Sequence, residues 1–596
     1  MKSMNATQTQ IFKSNSLSRE KALDILRVMH HCRFMDEKMG KLVRQNKGGT
    51  FALSMAGHEM IGAISALALR PGVDWGFPYY RDRAFALGLG CSLEDLFASF
   101  LARDTLHHSG GRMMPDHFSQ VDLRIPCQSS CVGSQYLQAV GMAKSVQLRK
   151  APEVVYVSGG DGSTSQGDFH EALNFSALHR LPIIFVVQDN GWAISVPVSE
   201  QTAGGTIAKM ATGYEGVAVH EIDGCDCIAT AEALDIAVWR ARSGFGPSLI
   251  VAHIPRIGPH SSSDDPKKYK CDADLAEDHK RDPLPRFEEW LLQQGWLTPE
   301  ELQQLRQQRI HEIETAAIAA DGLPFPDPKS ATHHVFKEYT TLNSLPEKHT
   351  TPDPLLEKHT TPNSLSEKHT TPDPLLEKHT TPDPLLEKHT TPDSFSETGE
   401  SVVLMDAINH ALVEEMERDP GVVVFGQDVA HGKGGVFGIT RTLTDRFGNE
   451  RCFNTPLAES SIVGIAIGMS MGGVHRPVAE IQFCDYSWTA MNQLINELSS
   501  IHYRSKGQWN CPLVIRMPSG GYIQGGPYHS QSIEAYLCHC PGLKVAIPSN
   551  AADAKRLLKA AIRDPNPVIF LEHKALYRQR LFSALFWRAL RLRRGP

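Results

Sequence analysis

A ten-residue unit divides this chain. TTPDPLLEKH stands in identical copies at Thr350–His359, Thr370–His379 and Thr380–His389, with variants of it filling residues 340 to 398. Proline recurs every few residues, and the apolar content is one leucine pair per unit. That is too little buried surface to offset the entropy of ordering, and a ten-residue period is too short for a helical solenoid. The stretch reads as a semi-extended linker. A binding array is the bolder alternative, and slippage in the coding DNA could produce the repeat with no selected role. Folded bodies must therefore come from residues 1–335 and 400–580, joined by the linker 336–399 and followed by an atypical basic tail, 581–596.

The first block alternates short β-branched runs, Val154–Val157 and Ile183–Val187, with helical patterns such as Gly167–Leu178. That alternation predicts an α/β fold, a parallel sheet covered by helices. The second block repeats the theme. Ser401–Glu417 reads as an amphipathic helix, and Val422–Phe425, Val514–Arg516 and Val568–Phe570 read as buried strands. Apolar residues, 41% of the chain, suffice for large cores in both. A net charge of −7 with no basic stripe argues against nucleic acid as a partner. No run of about eighteen apolar residues marks a membrane span. Met1–Ser16 is polar, with neither the apolar core of an export signal nor the arginine-rich character of a transit peptide. The cysteines are scattered, with C-x-C pairs at Cys225/Cys227 and Cys538/Cys540 and no paired zinc motif. Free thiols in the cytoplasm are the expectation.

Strand Val154–Val157 runs into Gly159-Gly160-Asp161-Gly162, and the next apolar strand ends at Asp189-Asn190-Gly191. Both polar turns then fall at the C-terminal edge of parallel strands, where open α/β sheets bind ligands. Their chemistry suits a magnesium diphosphate, because Mg²⁺ takes six oxygens at about 2.1 Å. Asp161 offers a carboxylate, Asn190 an amide oxygen and Trp192 a backbone carbonyl; phosphate oxygens and a water would complete the shell. Gly160 and Gly162 let backbone approach the phosphates, and the start of the following helix favours the anion. A lone GDG is an ordinary turn. GDG followed at this spacing by DN, each after a strand, is far more specific and reads as a thiamine diphosphate motif.

The segment Gly160–Ser199, GDGSTSQGDFHEALNFSALHRLPIIFVVQDNGWAISVPVS, resembles the alpha subunit of 2-oxo acid dehydrogenase decarboxylating components, and the resemblance runs from about Leu26 to Asp321. It implies that Tyr80 and Arg81 hold the diphosphate, the arginine as a bidentate fork. Ser129-Ser130-Cys131-Val132-Gly133-Ser134-Gln135 resembles the family segment whose oxygens hold a structural potassium ion, here with Cys131 for the usual proline and Ser134 for the usual threonine. Gln188 stands where branched-chain members carry arginine, so one diphosphate contact is weakened or comes from elsewhere. Arg256-Ile-Gly-Pro-His260-Ser-Ser-Ser-Asp264-Asp265 follows the strand Ser248–Ile254 and resembles the loop of the branched-chain members. The resemblance has His260 guide acyl transfer to the lipoyl arm, and an ordinary imidazole suits proton transfer at neutral pH. Ser261 sits where mitochondrial relatives are phosphorylated.

Val402–Arg578 resembles the N-terminal part of the beta subunit of the same enzymes. The carrying motifs are Val436-Phe437-Gly438, FNTPLAE at Phe453–Glu459, AEIQFCDY at Ala479–Tyr486 and YHSQ at Tyr528–Gln531. By that match Glu459 hydrogen-bonds the aminopyrimidine ring of thiamine and tunes one proton of the cofactor. A glutamate in that role shares a proton at neutral pH, so a buried carboxyl is expected. Gln482 and Tyr486 would line the pyrimidine pocket, and His529 would face the reacting centre. Asp564 and Asn566 precede a strand in a way that suits either a second cation or a plain turn.

The resemblance implies two thiamine-diphosphate-binding α/β domains, normally separate subunits, fused in one chain. Tethering would raise their effective concentration into the mM range. The implied activity is oxidative decarboxylation of a 2-oxo acid with transfer of the acyl group to a lipoyl-bearing acyltransferase, by a homodimer of the fused chain using thiamine diphosphate, Mg²⁺ and potentially K⁺. RIGPHSSSDD and NGWAIS favour branched-chain acids; a pyruvate or acetoin relative is the alternative. The family continues past Lys574–Arg578 with a further α/β domain. The segment LFSALFWRALRLRR, Leu581–Arg594, does not match it and reads as a membrane-surface helix or an out-of-frame tail. A truncated, poorly active remnant is thus a third reading.

Overall fold

The structure, a computed structural model, describes residues 17–48, 52–338 and 402–579. Nearly all of the repeat linker, and the whole basic tail, lie outside the described residues. The first block holds β1 (Trp75–Phe77), β2 (Val155–Gly160), β3 (Ile183–Asp189), a short antiparallel hairpin of β4 (Trp192–Ala193) and β5 (Val196–Pro197), β6 (Ala218–Asp223) and β7 (Ser248–His253). The second holds β8 (Val422–Gly426), β9 (Cys452–Asn454), β10 (Arg476–Glu480), β11 (Val514–Ser519), β12 (Lys544–Ala546) and β13 (Val568–His573). Apart from the hairpin they form two all-parallel sheets, ordered β1-β2-β3-β7-β6 and β12-β13-β11-β10-β8-β9. The expected α/β architecture is therefore present in both blocks. The principal strands outrun their apolar stretches at the C-terminal end: Ser158, Gly159 and Gly160 stay in the ladder opposite Val186, Val187 and Gln188.

Side chains alternate across each sheet, as the strand period of two requires. Val155, Val157, Ile183, Phe185 and Val187 enter one core, while Tyr156, Ile184 and Val186 enter another. Val423, Phe425 and Ile515 of the second block join the first of these cores, and Val422, Val424 and Phe570 build a third. One apolar core is thus shared by the two blocks, which form one compact unit.

Two helices, Ser134–Arg149 and Glu459–Met471, pack against each other at this joint. Every residue of the second is buried, as a helix apolar on all sides must be. The contact is backbone on backbone. A Cβ at Gly468 would stand 1.8 Å from the Gln138 carbonyl oxygen, and one at Gly141 would stand 2.2 Å from that of Ile465. Polar bonds frame the apolar contact. The Ser461 N–H and hydroxyl both donate to Glu171, at 3.0 and 2.7 Å, and Gln493 donates to Asp168 at 2.8 Å. Arg504 donates to Glu497 at 2.7 Å and to the Gln128 carbonyl at 2.8 Å.

Lys337, just after the first block, is tied to the second block. Its N–H donates to Asn566 Oδ1 at 2.6 Å, and Asn566 Nδ2 donates back to its carbonyl at 3.0 Å. Asp564 pairs with the Lys544 ammonium at 2.7 Å and accepts from Asn566. This corrects the cation reading of Asp564 and Asn566: an ammonium and a backbone tie already use their oxygens. On the far side of the linker, the Met405 N–H donates to the Tyr577 carbonyl at 3.3 Å.

Candidate functional site

A cavity of about 420 Å³ opens at the C-terminal ends of β2 and β3. Tyr80, Arg81, Gly160, Asp161, Gly162, Asn190, Trp192 and His260, all named from the sequence, face it, with Leu53, Met114, Val132 and Ile194 as an apolar wall. Asp161 opens a short 3-10 turn, Asp161–Ser165, that β2 feeds directly. Gly162 is glycine because a Cβ there would stand 2.6 Å from that of Ala193 in the hairpin.

Asp161 is 1% exposed. Burial, and then repulsion from Asp189, push its carboxyl up to about 7, although the Asn190 N–H bonds to it. Its Oδ2 is buried with no hydrogen-bond partner. A buried carboxylate oxygen without a donor is costly unless a cation or proton reaches it. Asn190 Oδ1 accepts from the Trp192 N–H at 3.2 Å, closing a turn in which Gly191 takes φ +79°.

Two buried guanidiniums face the same space. Arg81 donates to the Ser54 carbonyl at 2.6 Å and to the His260 carbonyl at 3.0 Å. Arg256 donates to the carbonyls of Ile194 at 2.7 Å and Trp192 at 3.3 Å, and to the Tyr269 hydroxyl at 2.7 Å. Their hydrogen bonds go to neutral groups, which leaves both charges available to an anion in the cavity. Sequence reasoning did not single out Arg256. Its position directly after a strand, at the head of the loop that carries His260, was the available signal. Burial, and then the Arg81 and Arg256 charges, push the His260 imidazole down to about 4. The His260 backbone N–H donates to Asp264 at 2.8 Å, and Asp264 also accepts from the Tyr269 hydroxyl at 2.6 Å.

Gln188 does not face the cavity. It is fully buried, hydrogen-bonded to His58 at 2.8 Å and to the Tyr79 hydroxyl at 3.2 Å. The residues expected to hold potassium are largely bonded within the protein. The Ser134 hydroxyl donates to the Cys131 carbonyl at 2.8 Å, and Ser129 donates to Glu497 at 2.5 Å. The Gln135 amide accepts from Gly133 and donates to the Ser158 carbonyl. Ser129 and Cys131 also border a second pocket of about 200 Å³ at the joint. Among the described residues no three His, Cys, Asp or Glu side chains cluster to share a metal ion.

The second-block residues form groups of their own. Glu459 begins its helix and is 9% exposed, as a buried carboxyl was expected to be. It accepts from Gln427 at 3.3 Å and from the Thr489 hydroxyl at 3.2 Å. The Tyr486 hydroxyl bonds His529 Nε2 at 2.7 Å, and His529 Nδ1 donates to the Gly525 carbonyl at 3.1 Å. Gln482 donates to Asp428 at 3.1 Å. None of these residues lines the 420 Å³ cavity. In this arrangement the second-block side chains bond to one another, and Glu459 does not border the cavity that Asp161 faces. The link between the two is indirect: Ser461, in the first turn of the Glu459 helix, bonds Glu171 in the helix that follows the Asp161 turn.

No helix among the described residues is long and apolar enough to cross a membrane. Comparison with known proteins matches residues 26–329 to the dehydrogenase E1 component family and residues 400–580 to the transketolase pyrimidine binding domain. The 2-oxoisovalerate dehydrogenase subunit alpha of Bacillus subtilis (strain 168) is 37% identical over 320 residues, covering 54% of this chain and 96% of that protein. The subunit beta of the same organism's enzyme is 55% identical over 174 residues, covering 29% of this chain and 53% of that protein. The pyruvate dehydrogenase E1 component subunit beta of Acholeplasma laidlawii is 45% identical over 177 residues, 30% of this chain and 54% of that protein. The chain thus spans nearly all of the alpha relative and about half the length of the beta relatives it matches. With an alpha-type domain followed by a beta-type pyrimidine domain, the chain belongs to the dehydrogenase E1 component family.

Proposed function

We propose that this chain binds thiamine diphosphate with Mg²⁺ and oxidatively decarboxylates a branched-chain 2-oxo acid. The acyl group then passes to the lipoyl arm of an acyltransferase partner. The observation that carries the reading is the charge pattern of the cavity: a buried Asp161 oxygen without a donor beside two buried guanidiniums without carboxylates. A divalent cation satisfies the first and a diphosphate the second, so the residues fit the pair. Asp161, Asn190 and the Trp192 carbonyl would hold Mg²⁺. Tyr80, Arg81, Gly160 and Gly162 would hold the diphosphate, with Arg256 supplying the charge that Gln188 does not. Thiamine diphosphate, when bound, supplies the electron sink that lets a 2-oxo acid lose carbon dioxide.

The chain's own groups then have distinct tasks. Glu459 exchanges its bonds to Gln427 and Thr489 for one to the pyrimidine. Gln482 and Tyr486 shape that pocket. His529 Nε2, bonded to the Tyr486 hydroxyl, accepts or returns a proton at the reacting centre. His260, kept neutral by burial and by the Arg81 and Arg256 charges, is a proton acceptor beside the acyl acceptor. Leu53, Met114, Val132 and Ile194 offer apolar surface that suits an aliphatic chain. The same reading includes a potassium ion at Ser129, Cys131, Ser134 and Gln135, a homodimer of the fused chain, and a cytoplasmic site of action. Pyruvate is the second reading, favoured by the likeness to a pyruvate dehydrogenase beta subunit.

The test is decarboxylation with an artificial electron acceptor, with and without thiamine diphosphate and Mg²⁺, on 2-oxoisovalerate and on pyruvate. Turnover that needs both additions and prefers 2-oxoisovalerate is expected. A preference for pyruvate favours the second reading. A chain that neither binds the cofactor nor turns over either acid refutes both.

A further inference from the structure

At the edge of the first sheet, one histidine lies behind the turn that carries Asn190 and Trp192. His253 ends β7, beside Asp189 at the end of β3 and Asp223 at the end of β6. Its Nδ1 meets Asp189 Oδ2 at 3.2 Å and its Nε2 meets Glu221 Oε1 at 2.9 Å. With a carboxylate on each ring nitrogen, both nitrogens act as donors. The hydrogen bond to Asp189, foremost, raises the imidazole to about 9, so it is a cation at neutral pH. Asp189 is 5% exposed, and its other oxygen, Oδ1, accepts the Gly191 N–H at 2.9 Å. The strand end is also pinned along the backbone, where the Ile254 N–H donates to the Asp189 carbonyl at 2.9 Å. A chain of contacts therefore runs from Glu221 through His253 and Asp189 to Gly191, the residue between Asn190 and Trp192.

We infer that His253 is a positioning residue for the metal–diphosphate turn: it holds the Asp189 carboxylate in the orientation that fixes Gly191, and so presents the Asn190 amide and the Trp192 carbonyl to the cation. The inference rests on the cofactor reading proposed above. Without His253, Asp189 loses its charged donor and turns toward water, and the turn loses its brace. Glu221 acts one step further out by orienting the ring.

The test is calorimetric titration of the full chain with Mg²⁺ and inorganic pyrophosphate, without substrate, alongside thermal melting. His253→Ala is expected to weaken binding about fivefold with an unchanged melting temperature. That is less than the ten- to hundredfold typical of partners behind metal ligands, because the imidazole is 39% exposed. His253→Gln keeps an N–H donor for Asp189 and is expected to recover most of the affinity. Glu221→Ala is expected to cost about twofold, as the more distant brace. Binding by His253→Ala equal to that of the unaltered chain overturns the inference. So does a loss shared by the Ala and Gln variants and matched by falling melting temperatures, which marks a merely structural role. Failure of the unaltered chain to bind Mg²⁺–pyrophosphate overturns the cofactor reading, and this inference with it.

Discussion

The two blocks share one architecture and treat their polar groups in opposite ways. At the ends of β2 and β3, the first block leaves charges incompletely answered: Asp161 Oδ2 lacks a donor, and Arg81 and Arg256 bond only neutral groups. In the second block Glu459, Gln482, Tyr486 and His529 each have a bonding partner nearby. A site meant for a highly charged ligand must hold its counter-charges ready, because reorganising buried ions on binding is costly. A site meant for a neutral ring can keep its polar atoms bonded and exchange partners on binding, since a neutral hydrogen bond has a net worth of only about 1 kcal/mol.

The sharpest test of this contrast pairs one residue from each block. Asp161→Asn is expected to abolish binding of Mg²⁺–pyrophosphate and turnover together, at least about a hundredfold in each. Glu459→Gln is expected to lower turnover by a similar factor while leaving pyrophosphate affinity unchanged. Calorimetry with steady-state kinetics separates the two, and loss of pyrophosphate binding in Glu459→Gln would break the comparison.

The joint decides whether the blocks can be perturbed separately. Gly468→Val drives a side chain into the Gln138 carbonyl and should cost about 3 kcal/mol of stability in denaturant unfolding. Both blocks should then unfold at lower denaturant; an effect confined to the second block would mean that the shared core contributes less than its extent suggests.

Acid sharpens the comparison further. His475, 7% exposed and bonded to the Ser145 hydroxyl at 2.8 Å, lies at the joint, and burial pushes it down to about 4. Its folded value lies below the unfolded one, so the unfolded chain binds more protons between about pH 6.5 and 4. Its contribution is complete above that window and is lost as pH falls through it. From pH 7 to pH 5 the loss should be about 2 kcal/mol, and His475→Gln should flatten the dependence. The smallest effect expected is that of Asn566→Ala, about 1 kcal/mol from its bonds to Lys337.

Much of the fold was legible because strands buried on both faces read as near-continuous apolar runs, as Ile183–Val187 does. The lining of the first-block cavity was legible for a related reason: Asp161 and Asn190 directly follow those strands. The joint was not. Gly141 and Gly468 carry no local sign that a second helix crosses there, because that requirement is set by residues hundreds of positions away. Arg516, buried between Glu480 and Glu572 at 2.8 and 2.7 Å, was missed likewise, since its counter-ions come from neighbouring strands. The second-block residues were named through resemblance, yet their side chains are occupied with one another, and a motif does not report which partner a side chain holds before its ligand arrives.

The tie between Lys337 and Asn566 has a consequence for the repeat. Upstream of it, Lys337 is bonded to the second block, and downstream of it Met405 meets Tyr577 within that same block. Lys337 and Val403, the residues of the folded blocks on either side of the repeat, belong to one compact unit. Doubling the length of a chain segment held at both ends costs only about 0.6 kcal/mol, so the number of decapeptides in the sequence weighs little on the pairing of the two sheets.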